Sequence, residues 1–176
     1  MRKVLVVVDM QNDFIDGSLG TKEAVGIVDA VAEEIRKDYD LVVATRDTHE
    51  EDYLNTNEGK HLPVVHCVKD TVGWQIADAV QDALKEKENV EILDKPVFGS
   101  TKLCEILKEY DKEKPIGSIT LIGLCTDICV VSNALLVKTA FPEIPVNVIG
   151  NCCAGVTLES HDAALLTMKM CQIEVL

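Results

Sequence analysis

Six short runs of aliphatic and β-branched residues recur along this chain, and several are continuously apolar instead of alternating. They are 3–8 (KVLVVV), 41–45 (LVVAT), 90–93 (VEIL), 118–123 (SITLIG), 145–149 (PVNVI) and 172–175 (QIEV). A strand with one wet face alternates, whereas a strand that is apolar throughout must be covered on both faces. Helical periods lie between these runs, at about 24–37, 74–87, 101–110, 127–139 and 158–170. In the first of them Ile27, Val28, Val31 and Ile35 fall on one side, with Asp29, Glu33 and Glu34 on the other. Strand alternating with helix predicts an α/β fold: a three-layer, doubly wound, mostly parallel six-stranded sheet with helices on both faces. With no repeat, low-complexity tract or linker in 176 residues, one domain over 1–176 is expected. Sites in such sheets form beyond the carboxyl ends of the strands, near the point where the strand order reverses.

Charge excludes several partners. Thirty acidic side chains against seventeen basic ones give a net charge of -13, which repels phosphate backbones and anionic lipid. Neither nucleic acid nor membrane is an expected partner, and no apolar run approaches the roughly 20 residues that span a bilayer. The opening apolar run, Val4 to Val8, meets Asp9 too soon for a secretory signal, so a cytoplasmic location is expected. Seven cysteines (67, 104, 125, 129, 152, 153 and 171) are an odd number. In a reducing compartment six of them read as buried small hydrophobes.

The seventh stands out by its position. Asp9 follows the first strand, Lys95 the third, and Gly123-Leu124-Cys125-Thr126-Asp127-Ile128-Cys129 the fourth. Taken alone, Asp9 reads equally as a cap and Lys95 as a solvated surface residue. Thr126 or Asp127 can cap the next helix, which places Cys129 in its first turn. There the unpaired N–H groups and the helix dipole are expected to stabilise a thiolate. A carboxylate, a lysine and such a cysteine are the parts of a covalent catalyst.

From Thr45 to Gly73 no periodic element is evident, and a loop of that length in a compact domain is usually functional. It holds Asp47, His49, Glu58 and His66, a mixed nitrogen and oxygen set suited to Zn²⁺, or to Mn²⁺ or Fe²⁺. Spacing alone slightly favours plain surface residues here.

Three segments carry a family likeness: VVVDMQNDF, DKPVFGST and LIGLCTDICVVSNA. Through them, and above all through G-x-x-T-D-x-C-V, the chain resembles the nicotinamidases of the isochorismatase-like cysteine hydrolase family. The resemblance covers nearly the whole chain and implies an isochorismatase-like, Rossmann-like sheet. It implies a catalytic triad of Asp9, Lys95 and Cys129, a cis peptide at Leu124–Cys125, and an oxyanion hole from the N–H groups of Cys125 and Cys129. It also makes Asp47, His49 and His66 metal ligands, because D-x-H followed by H-C-V is the metal signature of the nicotinamidases. Glu58 corresponds to a ligand found in only some members. Isochorismatases proper lack this metal site. The implied reaction is hydrolysis of nicotinamide to nicotinate and ammonia by a homo-oligomer with a divalent metal, first of all zinc.

The chain departs from the family in places. Asp47-Thr48-His49-Glu50 stands where many relatives carry Trp and often Pro, and Lys95 is followed by Pro-Val-Phe-Gly, without the usual aromatic-rich continuation. Phe14 and Phe98, with Leu124, are the expected ring pocket, ahead of Trp74 and Tyr53. Three alternatives remain: another small amide such as a carbamoyl or ureido compound; a structural or redox site of Cys125, Cys129, Cys152 and Cys153, without the usual C-x₂-C spacing; and a serine hydrolase around Ser160-His161-Asp162, without the G-x-S-x-G elbow.

Overall fold

A computed structural model describes residues 1–176. Six strands, β1 (Arg2–Val8), β2 (Leu41–Asp47), β3 (Val90–Lys95), β4 (Ile116–Leu124), β5 (Val146–Ala154) and β6 (Glu174–Val175), form one sheet in the order β3-β2-β1-β4-β5-β6. Every pairing is parallel, so the sheet is wholly and not just mostly parallel. The order reverses between β1 and β4, which places the switch point at the ends of those two strands.

The all-apolar runs split by parity, as a two-sided burial requires. Val4, Val6 and Val8 of β1 join one core cluster with Leu41 and Val43 of β2, while Leu5, Val7, Val42 and Ala44 join the other. The second face is covered by α2 (Lys22–Arg36) and α4 (Asp78–Lys85), the first by α5 (Thr101–Glu113), α6 (Val131–Ala140) and α7 (Leu158–Met170). Thr21 caps α2 by accepting from the Ala24 N–H, and Thr157 with Ser160 forms a capping box at α7. At the switch point Gly123 adopts φ 115°, and a Cβ there would overlap the Val8 carbonyl oxygen. Only glycine lets β4 approach β1 this closely. No helix is long and apolar enough to cross a membrane.

Three elements differ from expectation. The helical period at 74–87 becomes helix only from Asp78, because 74–77 is drawn off as extended chain: Gln75 O accepts from Asn12 N, and Ala77 N donates to Met10 O. Within 45–73 lie a 3₁₀ turn (Tyr53–Asn55) and a short helix, α3 (Asn57–His61), and a further turn, α1 (Asn12–Ile15), follows β1. The helix expected at 127–139 begins as a π-turn, Thr126–Val130, with Val130 N donating to Cys125 O, before α6 proper.

Candidate active site

Each candidate side chain leaves the carboxyl edge of a different strand. Asp9 follows β1 at φ 47°, a left-handed conformation that Asp tolerates better than most residues. Its N–H donates to the Thr45 carbonyl, and its Oδ1 accepts from the Thr45 hydroxyl at 2.7 Å. Lys95 ends β3, and Cys129 sits in the π-turn after β4. The chain brings the three together: Lys95 Nζ lies 2.7 Å from Asp9 Oδ2 and 3.5 Å from Cys129 Sγ. Lys95 also donates to the Val97 carbonyl at 3.1 Å. All three side chains are buried.

Burial sets the electrostatics. Removal from water, followed by the charge of Asp9, pushes the Cys129 thiol well above its ordinary value, with Lys95 opposing. That direction runs against the thiolate expected from the helix start alone, and it favours a base that takes the proton from Cys129. Asp9 suits that role, since burial raises its carboxyl against the pull of Lys95. Burial opposes the charge of Lys95, yet the carboxylates of Asp9 and Asp47 keep its ammonium protonated. Beside the thiol, the Leu124–Cys125 peptide is cis. Burial, then Asp127, pushes the Cys125 thiol up to about 12.

Asp47, His49, Glu58 and His66 converge, their ligand atoms all within 4.8 Å of one another. Asp47 Oδ2 lies 2.9 Å from His49 Nε2 and 3.5 Å from His66 Nε2, and Glu58 Oε1 lies 3.7 and 4.0 Å from the same two nitrogens. The His66 Nδ1 sits 2.8 Å from the Val64 carbonyl, so it carries the proton and leaves Nε2 free to ligate. His49 Nε2 is buried and, although 2.9 Å from Asp47 Oδ2, makes no well-aligned hydrogen bond. Two imidazoles and two carboxylates facing one point, one nitrogen among them without such a bond, fit a divalent cation. Despite its burial, Asp47 is held well below the usual carboxylate range by His49, His66 and Lys95, while burial and Asp47 push Glu58 up. Asp47 Oδ1 is also 3.5 Å from Lys95 Nζ, so a single carboxylate joins the two clusters.

Between the clusters lies a cavity of about 310 Å³, lined by Phe14, Phe98, Leu124, Cys125 and Cys129, with Leu19, Leu62 and Ile128 completing an apolar wall against Asp47, Glu58 and His66. All three expected pocket residues are present. Trp74 lies apart, its Nε1 donating to Thr48 and its ring under Arg46, and Tyr53 packs behind His49 and His66. Ser160 serves the helix cap and His61 stays on α3, while His161 Nδ1 pairs with the Thr126 hydroxyl at 2.8 Å. No serine triad forms. All seven cysteines are free, and no cluster of four exists among them.

Several supporting residues escape a reading of the sequence. Gln11 accepts from the Asp47 N–H and donates to the Asp47 and Trp74 carbonyls, fixing Asp47 at both backbone ends. Asp13 accepts from the Cys67 N–H and so orients the chain beside His66. Both lie in VVVDMQNDF, where an amide and a second acid so close to Asp9 are the only available signal.

An isochorismatase domain model matches residues 3–176. The nicotinamidase of Schizosaccharomyces pombe is 27% identical over 212 residues, spanning 98% of this chain and 91% of that protein. The crystal structure of pyrazinamidase/nicotinamidase from Streptococcus mutans UA159 superposes with a TM-score of 0.85 at 27% identity, covering 99% of both chains. The pyrazinamidase of Pyrococcus horikoshii, in complex with zinc, superposes at 0.83 with 28% identity, covering 100% of this chain and 99% of that one.

Proposed function

The chain belongs to the isochorismatase domain family, and from that premise we propose that it hydrolyses nicotinamide to nicotinate and ammonia through a thioester on Cys129. One observation carries the reading: a buried thiol, carboxylate and ammonium in contact, at the wall of an apolar cavity that faces a His₂-carboxylate₂ cluster. The cavity suits a flat ring, and the cluster suits a ring nitrogen.

Asp9 takes the proton from Cys129 Sγ, and the sulfur attacks the amide carbon. Lys95 keeps the ammonium charge beside both anions as they exchange the proton. The N–H groups of Cys125 and Cys129 receive the oxyanion, each donor contributing about 3 kcal/mol in sites of this kind. Asp9 returns its proton to the departing nitrogen, and ammonia leaves. Water then gives a proton to Asp9, adds to the thioester carbonyl, and the collapse releases nicotinate as Sγ regains the proton. Phe14, Phe98 and Leu124 hold the ring and exclude water. Asp47, His49, Glu58 and His66 would hold a metal ion, with zinc the first choice; when bound it supplies a Lewis-acid anchor that orients the heterocycle.

Ammonia release is the test, measured over nicotinamide, pyrazinamide, benzamide and a set of carbamoyl and ureido compounds. Preference for nicotinamide over benzamide supports the reading. Turnover of the ureido set alone transfers the same machinery to another amide and sinks nicotinamide as the substrate. A homo-oligomer, the assembly the family resemblance implies, is expected in the same preparation by sedimentation.

A further inference from the structure

Asn133 is fully buried on α6, four residues beyond Cys129, and belongs to none of the groups described so far. Its side chain ties two separate segments together. Nδ2 donates to the Cys129 carbonyl at 2.8 Å and to the Phe98 carbonyl at 3.0 Å, while Oδ1 accepts from the Ser100 N–H at 3.0 Å. A carboxamide is the smallest group that offers two donors and an acceptor in one plane, so this site uses both ends of it. The segment it grips is the one that shapes the site. Val97 O accepts from Lys95 Nζ, and the Phe98 ring forms part of the cavity wall. Gly99 runs so close to α6 that a Cβ there would meet Leu136 Cδ1 at 2.8 Å.

Phe98 is 43% exposed, so packing alone does not hold it. Nor does α5 reach back to fix this stretch: its N-cap Ser100 makes no side-chain cap bond. The polar link to Asn133 ties the backbone of the lysine's loop to the backbone of the nucleophile's turn.

We propose that Asn133 is a positioning residue for the reaction: it locks the Cys129 turn to the Val97–Ser100 segment, and so sets both the approach of Sγ and the Phe98 wall that the ring leans on. Nucleophile geometry and pocket shape then share one clamp. The inference rests on the thioester reading above, and the test separates the two.

Three variants dissect the clamp. Asn133→Ala removes all three bonds. Asn133→Thr can return only the hydroxyl bond to the Cys129 carbonyl, four residues back in the π-turn that leads into α6. Asn133→Asp keeps the acceptor for Ser100 but sets a carboxylate against two carbonyls. Each is assayed at a temperature where it is folded by circular dichroism, for kcat and KM on nicotinamide and for the rate of Cys129 alkylation by iodoacetamide. Asn133→Ala should lose about tenfold or more in kcat and gain several-fold in KM, as loosened attack geometry requires. Its Cys129 should alkylate faster than wild type. Asn133→Thr should recover most of kcat while KM stays raised, because the Phe98 segment remains unclamped. Asn133→Asp should be no better than Asn133→Ala. A merely structural role would lower the melting temperature and leave kcat, KM and the alkylation rate of the folded protein at wild-type values, which overturns the proposal. If wild type does not turn over nicotinamide, the functional reading fails, and the alkylation rates alone still decide the clamp: equal rates in wild type and Asn133→Ala refute it.

Discussion

The Lys95–Asp9 pair should reveal itself in stability as sharply as in rate. Both side chains are fully excluded from water and 2.7 Å apart. Asp9→Asn preserves the volume and an oxygen to accept from Thr45, but leaves the Lys95 ammonium buried with Asp47 Oδ1, at 3.5 Å, as its nearest carboxylate. Breaking a buried pair from one side costs about 3–5 kcal/mol, and the remaining Asp47 places this case toward the lower end. For a chain of this size each kcal/mol moves Tm by about 2–4 °C, so a fall of about 6–15 °C is expected. Turnover should drop at least about 100-fold with the base gone. Asp9→Asn combined with Lys95→Met removes the orphaned charge, so thermal melting should recover most of the lost stability while activity stays abolished. Equal melting temperatures for wild type and Asp9→Asn, or no recovery in the double variant, would mean that the pair is not the buried ion pair described here.

Further outcomes follow from the same geometry. Iodoacetamide alkylation of Cys129 should keep rising with pH beyond 9.0, the ordinary cysteine value, because burial and Asp9 hold the thiol protonated; a plateau near neutral pH would contradict that. Gln11→Ala leaves the backbone of Asp47 without its two bonds to this side chain, and should weaken metal affinity about 10–100-fold in a chelator competition while Cys129 alkylation is unchanged. Chelation should suppress turnover and Zn²⁺ restore it, and unaltered activity in protein shown by elemental analysis to be metal-free would remove the ion from the reaction. Gly123→Ala should destabilise severely and yield little folded protein, since its Cβ would overlap the Val8 carbonyl; near-wild-type melting would refute the close approach of β1 and β4.

The sheet is legible in the sequence because burial on both faces leaves an unmistakable trace: Val4 to Val8 and Leu41 to Ala44 carry no polar residue at all. Placing Asp9, Lys95 and Cys129 after three such runs then follows from where strands end, and the structure brings their side chains into contact. The converging Asp47, His49, Glu58 and His66 are less readable. Their spacing is irregular because the intervening chain holds a 3₁₀ turn and a five-residue helix too short to show a period. Residues 74–77 look helical by composition, but tertiary hydrogen bonds to Met10 and Asn12 override local preference. The π-turn at Thr126–Val130 leaves no signature in residue type, and so the burial that raises the Cys129 thiol is invisible without the fold. Asn133 is the plainest loss. Its partners, Phe98 and Ser100, are more than thirty residues away, and all of its bonds run to backbone atoms, which carry no sequence identity.

Covalent chemistry at Cys129 is open to direct observation. Nicotinamide mixed with the enzyme, quenched in acid within the first turnovers and digested, should yield the peptide holding Cys129 with one nicotinoyl group added at sulfur, formed faster than the steady-state rate and absent in Cys129→Ala. An unmodified Cys129 at every quench time during active turnover, or the same acyl mass on Cys125 with full activity in Cys129→Ala, would contradict the account at its centre.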